Sequence, residues 1–174
     1  CPIHNEDINK LYRLILNQMA KRKIEASNRG GVVRYIIIRK THHNKETQIS
    51  FILTKKDSKV HTLAKYLVNK LEEVKSVYEV INTDFKSRDF FTKRMTLLAG
   101  DEVISESLNE TLFKLKPDAF FQLNTKQAQK LYEKVVEVGQ FSKQDVVVDA
   151  FGGVGPLAFY IAPYVLKVYS IDKE

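Results

Sequence analysis

A glycine-rich loop between two short apolar segments holds the residues whose types and spacing best suit ligand chemistry. Asp149 ends a valine-rich segment, and Gly153 and Gly155 follow it closely. Glycines at this spacing let the main chain turn tightly and let a ligand approach the backbone, and N–H groups at the start of the next helix then face that ligand. Asp172 ends the following apolar segment. A carboxylate at the end of this strand can accept hydrogen bonds from both hydroxyls of a ribose. The spacing predicts a site for a cofactor that contains a nucleoside.

The spacing alone leaves the identity of this cofactor open. The residues from Gly153 to Ala158 satisfy the dinucleotide fingerprint with alanine in the third position, which is typical of a nicotinamide-dependent oxidoreductase. An aspartate ahead of two glycines is also typical of an S-adenosylmethionine site. Two features favour the methyl donor: the long turn between Asp149 and Gly153, and the upstream segment Phe120-Phe121-Gln122-Leu123-Asn124. A third alternative is a non-catalytic RNA-binding module in which the glycine loop is only structural.

The segments on either side of the loop predict the elements that must position it. Residues 145–150 hold three consecutive valines without polar alternation, which predicts a strand buried on both faces, as in a parallel sheet. Residues 156–162 predict a short helix, and residues 167–171 predict a second strand. This order is the opening of a doubly wound fold. Because two strands cannot bury their own faces, we expect the chain to be a fragment of a larger protein.

Upstream of this region, hydrophobic spacing predicts an α+β unit with an antiparallel sheet. Helices are expected at 5–23, from Ser58 to about Val74 and from Thr125 to Val138, with Ser58 and Thr125 as N-caps. Strands are expected at 32–39, 48–54, 77–81, 95–98, 102–107 and 111–115. For the chain as a whole, the predicted fold class is α/β. An α+β domain at residues 1–116 is joined to the start of a Rossmann-like domain at residues 117–174.

The composition excludes several classes of protein. With 44% hydrophobic and 28% charged residues, the chain is neither a disordered tail nor a fibre. No apolar run approaches the roughly 20 residues that span a bilayer, and no segment has the composition of a secretory leader. The single cysteine, Cys1, excludes an internal disulfide. We expect a cytoplasmic protein without a membrane partner.

The positive charge is concentrated in the first third of the chain. The net charge is +7, and residues 1–60 hold thirteen Lys and Arg against five Asp and Glu. The remaining residues are nearly neutral. A basic region joined to a neutral one is typical of a protein that holds a polyanion in one part and does chemistry in the other. The alternative is a solvated lysine-rich surface without a partner.

Several segments match a known family in residue type and spacing. They are Phe120 to Gln127, Leu131-Tyr132, Val148 to Gly155, Gly31 to Arg39, Asn82 and Leu98-Ala99-Gly100. With these segments the chain resembles the RNA uracil-5-methyltransferase family over nearly its whole length. The resemblance is greatest to the branch that acts on 23S ribosomal RNA in low-GC bacteria. It implies a Rossmann-like methyltransferase domain, S-adenosyl-L-methionine as cofactor and RNA, in particular 23S ribosomal RNA, as partner.

The resemblance also implies roles for individual residues of the cofactor site. Gln122 matches a glutamine beside the methionine end of the cofactor, and Phe151 matches an aromatic residue that lines the site. Asp172 matches the acid that binds the ribose, which is usually glutamate in the family. Two further positions depart from the family: Gly152 stands where cysteine is common, and Pro156 stands where threonine or asparagine often donates a hydrogen bond.

The chemistry implied by the resemblance depends on a catalytic cysteine, and no residue of this sequence corresponds to it. In the family a thiolate adds to C6 of a uridine, and C5 then takes the methyl group. That cysteine lies well after the second strand of the methyltransferase domain. We therefore expect no catalytic residue within the 174 residues and no activity of this chain by itself. Cys1 resembles the last of four iron–sulfur ligands in some members, but the other three would lie upstream, so we expect no metal here.

Two groups of residues outside the cofactor site are candidates for RNA contact. Arg34 and Arg39 lie on one predicted strand and either contact phosphate or face solvent. An aromatic and basic cluster either stacks on RNA or packs in the core. Its members are Phe85, Lys86, Arg88, Phe90, Phe91 and Lys93.

Overall fold

The computed structural model describes residues 5–87 and 89–173, which form two compact units. The units are Cys1–Ile104 and Ser105–Glu174. This division lies earlier in the chain than the predicted boundary between residues 116 and 117. The reason is that Phe113 packs against Phe121 and Phe159, which joins its hairpin to the second unit. Cys1 lies outside the described residues, so its resemblance to an iron–sulfur ligand and the expectation of no metal there stay untested.

Among the described residues, the first unit contains two α-helices, a 3₁₀ helix (Ser27–Arg29) and a four-stranded sheet. Its elements are α1 (Glu6–Lys21), β1 (Val33–Lys40), β2 (Thr47–Leu53), α2 (Ser58–Lys70), β3 (Val74–Ile81) and β4 (Met95–Gly100). Each of these elements was predicted from the sequence to within a few residues. Asn5 begins α1, because its Oδ1 accepts from the backbone N–H of Asp7 at 2.9 Å. At α2 the predicted cap is wrong: Asp57, not Ser58, accepts from the N–H of Lys59 at 2.7 Å.

The sheet of the first unit is mixed, so the prediction of an antiparallel sheet is wrong. Its strand order is β1-β2-β3-β4. The outer pairs β1–β2 and β3–β4 are antiparallel, but β2 and β3 are parallel. Parallel neighbours need a crossover connection, usually a helix, and α2 is that connection. The predicted order of strand, helix and strand already implied it.

The core of the first unit lies where both helices pack on the sheet. Ile15 from α1, Phe51 from β2 and Leu63 from α2 are fully buried in one cluster. Every residue of β2 is buried, including its polar ones. Gln48 is accommodated because its amide Nε2 donates to the hydroxyl of Ser76 at 3.3 Å. A central strand buried on both faces therefore holds the unit together.

The second unit contains two small sheets and two helices. Its elements are β5 (Ile104–Leu108), β6 (Thr111–Leu115), α3 (Thr125–Gly139), β7 (Val146–Ala150), α4 (Pro156–Ile161) and β8 (Lys167–Ile171). β5 pairs with β6, and β7 pairs with β8. The prediction that β7 and β8 are parallel is confirmed, with Val146 opposite Lys167 and Ala150 opposite Ile171.

The predicted burial of β7 on both faces is wrong. Val146 and Val148 are 55% and 57% exposed. An apolar strand loses its contact with water only where other strands or helices cover it. Within the described residues, β7 has β8 as its one strand neighbour. Also within those residues, no helix is long and apolar enough to span a membrane.

Candidate cofactor site

The glycine loop after β7 is a tight turn fastened to the end of β8. The N–H of Gly152 donates to the carbonyl of Ile171 at 3.1 Å, and the N–H of Gly155 donates to the carbonyl of Gly152 at 2.8 Å. Gly153 and Gly155 have φ angles of 56° and 80°. This left-handed backbone strains residues with a side chain, so glycine is suited to both positions.

Asp172 clamps this loop from the end of β8. Its Oδ2 accepts from the backbone N–H of Gly153 at 2.9 Å. Together the loop and the strand end line an open cleft of about 500 Å³, whose walls include Val154, Phe159 and Ser170. The cleft lies at the carboxyl ends of two parallel strands, which is where doubly wound folds bind ligands.

The carboxylate of Asp149 lies buried under the loop. Asp149 is 9% exposed, and its Oδ2 atom has no hydrogen-bond partner among the described residues. A buried carboxylate oxygen without a partner is costly. A Cβ placed on Gly152 would lie 2.9 Å from this Oδ2 and would overlap the hydroxyl of Ser170. The absence of a side chain at 152, where cysteine is common in the family that the sequence resembles, therefore leaves room for these two polar groups.

Tyr132 on α3 lies within the electrostatic influence of Asp149, a proximity that the sequence analysis did not predict. Burial raises the pKa of its hydroxyl above 10.0, and the negative charge of Asp149 raises it further. Its ring lies 5.8 Å from that of Tyr160, centroid to centroid. Helical spacing assigned Tyr132 to the core, where it lies. The sequence carried no signal that the core here adjoins Asp149.

The start of α4 differs from the prediction that its first N–H groups face a ligand. α4 has six residues and begins at Pro156, which has no N–H. Gly155 is its N-cap, and no side chain accepts from its first turn. The helix therefore offers fewer donors than the sequence predicted. Asp172, Ser170 and the backbone of the glycine loop line the cleft instead.

Phe151 and Gln122 do not line the cleft. Phe151 is 88% exposed and has a φ angle of 64°. A bulky residue in this region is an outlier, and such strain is concentrated at functional sites. Gln122 is exposed in the segment before α3. Of the six predicted site residues, the cleft brings together Gly153, Gly155 and Asp172, with Asp149 beneath them.

The segment that carries Gln122 is held firmly at both ends. Phe121 is buried, with its ring centroid 5.4 Å from that of Phe113. Asn124 caps α3 through a bond from the N–H of Gln127 at 3.1 Å, so the prediction of Thr125 as cap is wrong. The hydroxyl of Thr125 instead donates to buried Glu106 at 3.2 Å.

Three aromatic rings connect this segment to the cleft. The ring of Phe113 meets Phe121 on one side and Phe159 on the other, at 5.4 and 5.7 Å between centroids. Phe159 is itself a wall of the cleft. The segment with Gln122 is therefore tied to the cleft through packed rings. Among the described residues, no cluster of His, Cys, Asp and Glu could hold a metal ion.

The fold is shared with a methyltransferase of known structure. The structure superposes on the tRNA (uracil-54, C5)-methyltransferase of Pyrococcus abyssi, crystallised with S-adenosyl-L-homocysteine, with a TM-score of 0.69 and 23% identity. The match covers 92% of this chain and 38% of that protein. This likeness supports the predicted mixed α/β fold.

Curated relatives are similar over almost the whole chain. An uncharacterized RNA methyltransferase of Oceanobacillus iheyensis is 30% identical over 176 residues, which cover 99% of this chain and 38% of the relative. One of Lactococcus lactis is 30% identical, with 98% and 38% covered. One of Staphylococcus aureus is 27% identical, with 97% and 37% covered. No family model matches the chain. The chain thus spans under two fifths of the length of these relatives.

Proposed function

We propose that this chain is the part of an S-adenosyl-L-methionine-dependent RNA methyltransferase that holds much of the cofactor cleft. The observation that carries the proposal is the buried Oδ2 of Asp149, which has no hydrogen-bond partner among the residues that the structure describes and lies at the carboxyl end of β7. The ammonium group of the cofactor is a suitable donor to this oxygen. The similarity to RNA methyltransferases over nearly the whole chain supports the same activity.

The residues of the cleft fit the nucleoside of this cofactor. A carboxylate has about four lone-pair positions, so Asp172 can hold the loop through Gly153 and accept a ribose hydroxyl at the same time. A Cβ on Gly153 would meet no atom within 4 Å, so the space above it is open to a ligand. We assign Gly153 and Gly155 to the backbone wall beside the adenosine.

Gln122 and Phe151 complete the proposed site from its rim. We assign Gln122 to the methionine end of the cofactor, where its amide both donates and accepts. We assign Phe151 to an aromatic wall, since its strained backbone holds the ring exposed. Both assignments rest on the family resemblance. The firm anchoring of the Gln122 segment supports them, because it fixes the backbone that carries the amide.

The finer activity that we propose is methylation of C5 of a uridine in 23S ribosomal RNA. When bound, the cofactor supplies an electrophilic methyl group. The described residues of this chain bind and orient the cofactor, and they contribute no nucleophile. The resemblance of residues 120–124 to RNA uracil-5-methyltransferases supports C5 as the target. The structural neighbour acts on uracil-54 of tRNA, which makes tRNA the substrate to compare.

The nicotinamide alternative is weakened by the start of α4. Dinucleotide sites seat the pyrophosphate on N–H groups at a helix N-terminus. Here that helix has six residues, and Pro156 removes one donor. The same cleft does not disfavour S-adenosyl-L-methionine, because that cofactor has no phosphate groups.

The cofactor assignment is tested by NMR titration of the ¹⁵N-labelled chain with S-adenosyl-L-homocysteine and, separately, with NAD⁺. We expect the homocysteine compound to shift the amide signals of Gly153, Gly155 and Asp172. Asp172→Ala should weaken this binding about tenfold, equal to about 1.4 kcal/mol. Asp118→Ala, on an exposed aspartate of the same unit, is the matched control. Shifts with NAD⁺ alone, or an unchanged affinity in Asp172→Ala, would contradict the proposal.

The activity is tested with labelled cofactor and RNA. We expect no methyl transfer by the 174-residue chain, and transfer to C5 of uridine by a longer protein that contains it. Mass spectrometry of digested 23S ribosomal RNA and tRNA identifies the product and the preferred substrate. Methyl transfer above background by the 174-residue chain would refute the expectation that it lacks the nucleophile.

A further inference from the structure

A basic cleft in the first unit lies at the ends of β2 and β3. Its volume is about 550 Å³, and four of its lining side chains are cationic: Lys55, Lys56, Lys93 and Arg94. Lys56 contacts buried Glu79 at 4.0 Å, and this is the one ion pair that the four make among the described residues. Four cations around one cleft, with a single carboxylate against them, predict an anionic ligand.

Exposed aromatic rings stand on the loop that lines this cleft. Thr83 is part of the cleft wall, and Phe85 follows two residues later. Phe85 is 67% exposed. Phe90 and Tyr35 are also exposed, and their rings meet edge to face with centroids 4.9 Å apart. The sequence left open whether Phe85 and Phe90 belong to the core, and the structure places both at the surface.

Arg34 holds these rings in place. Its Nη1 donates to the carbonyl and to Oδ1 of Asn82 at 2.8 and 2.7 Å, and its Nη2 donates to the carbonyl of Asp84 at 3.0 Å. Its guanidinium lies 4.4 Å from the centroid of the Phe85 ring. Arg34 is therefore a positioning residue within the protein, and the predicted choice between phosphate and solvent does not describe it.

The loop is also closed from within. The Nδ2 of Asn82 donates to the carbonyl of Asp89 at 2.8 Å, and the hydroxyl of Thr92 donates to the carbonyl of Ile81 at 2.9 Å. The Oδ1 of Asp84 accepts from the N–H groups of Lys86 and Ser87. The loop is thus fixed by its own hydrogen bonds, which lowers the entropy cost of binding through its exposed rings. Arg88, a member of the predicted cluster, lies outside the described residues.

We propose that the basic cleft and the ring of Phe85 together form a single-stranded RNA surface. Phosphates lie along Lys55, Lys56, Lys93 and Arg94, and an unpaired base stacks on Phe85. Grooves that combine cations with stacking rings bind single strands with little sequence preference. A duplex hides its base faces, so it lacks the stacking contact. The proposal rests on RNA being the substrate, and it assigns an RNA-binding role to residues of the first unit.

The test is fluorescence anisotropy of the 174-residue chain with a labelled ten-nucleotide single strand and with an RNA duplex of the same composition. We expect tighter binding of the single strand. Phe85→Ala should weaken it about tenfold, since the stacking contact with one base is lost. Phe85→Trp should restore binding. Tyr12→Ala, on an exposed ring of α1 in the same unit, should bind as the unaltered chain does.

The charge on the cleft is tested by salt dependence. Lys93→Ala should lower the slope of log affinity against log salt by about 0.7, because one phosphate contact is lost. Lys65→Ala, on an exposed lysine of α2, is the control and should leave the slope unchanged. Equal affinity for duplex and single strand, or full binding by Phe85→Ala, would overturn the proposal.

These measurements need no cofactor, so they separate this surface from the proposed activity. If S-adenosyl-L-homocysteine fails to bind but Phe85→Ala still weakens RNA binding, the proposed activity is refuted and the proposed RNA surface is supported. If the cofactor binds at Asp172 but Phe85→Ala holds RNA normally, the surface is refuted and the activity stands. Far-UV circular dichroism of each variant confirms that it is folded.

Discussion

Both units of this protein contain a parallel strand–helix–strand segment, and the two segments differ in how the turn after the first strand is stabilised. In the first unit Asp57 caps a thirteen-residue helix, so a side chain satisfies the backbone donors. In the second unit Gly155 stands at the cap of a six-residue helix, and no side chain accepts there. The first turn is closed by the protein itself. The second is closed by main-chain bonds and by Asp172 from the next strand, and only the space beside Gly153 stays open.

The first strands of the two segments, β2 and β7, differ in the same direction. Every residue of β2 is buried, whereas β7 exposes two of its three valines. β2 stabilises its unit through packing, whereas β7 exposes its valines and carries the buried carboxylate of Asp149 at its end. We infer that stability is concentrated in the first unit and ligand chemistry in the second.

The largest effect is expected from shortening a buried side chain of β2. Phe51→Ala should lower the free energy of unfolding of the first unit by about 4 kcal/mol, because it removes a fully buried ring. Val148→Ala in β7 should change stability by less than about 0.5 kcal/mol, because this side chain is more than half exposed. Urea unfolding followed by NMR measures each unit separately. Similar losses for both variants would remove the contrast between the two strands.

A smaller but distinct effect is expected at neighbouring glycines of the first unit. A Cβ on Gly31 would overlap the backbone carbonyl of Glu25, which cannot rotate away. Gly31→Ala should therefore cost about 3 kcal/mol. Gly30→Ala meets no atom within 4 Å but has a φ angle of 82°, so it should cost only about 1 kcal/mol. Urea unfolding compares the two, and equal losses would show that backbone strain alone governs this turn.

The difference between the two turns is tested at the cap of α2. Asp57→Ala should destabilise the first unit by about 1 kcal/mol, because the N–H of Lys59 loses its acceptor. Ser58→Ala should have little effect, since Asp57 rather than Ser58 caps the helix. Neither change should alter cofactor binding in the second unit. Thermal unfolding and the NMR titration measure both outcomes, and a larger loss for Ser58→Ala would reverse the assignment of the cap.

The smallest effect is a change in the pKa of Tyr132. Burial and the charge of Asp149 both raise this pKa, with burial the larger cause. Asp149→Asn should lower it towards, but not to, its ordinary value, because burial remains. The phenol therefore ionises at a lower pH in the variant than in the unaltered chain. NMR of ¹³C-labelled tyrosine measures the shift, with Tyr160 as an internal reference whose raised pKa has no contribution from Asp149. No change at Tyr132 would place Asp149 outside its electrostatic reach.

Local signals in the sequence predicted the elements but not their partners. The valines before Asp149 predicted a strand and its parallel neighbour, both of which the structure contains. They did not predict exposure, because burial depends on what covers a strand. In the same way, hairpin spacing predicted β1 and β2, but the parallel pairing of β2 with β3 follows from the crossover through α2.

The geometry of the glycine loop was predictable where it depends on backbone conformation. Gly153, Gly155 and Asp172 were recognisable, because positive φ angles and a strand-end carboxylate have sequence signatures. Arg34 was not, since one residue type serves phosphate binding and internal hydrogen bonding equally well. Its partners, Asn82 and Asp84, lie about fifty residues away in the chain, and only the fold brings them together.

The room beneath the glycine loop has a consequence for how this sequence can change over time. Ser170 and Asp149 occupy the volume that a side chain at position 152 would need. A relative with cysteine at 152 must rotate or replace the residue at 170, so positions 152 and 170 should vary together. A single exchange at 152 crowds the buried carboxylate, whereas the paired exchange Gly152→Cys with Ser170→Ala relieves the overlap with the serine hydroxyl. Positions 152 and 170 are distant in sequence, but the residue at either position limits which residues fit at the other.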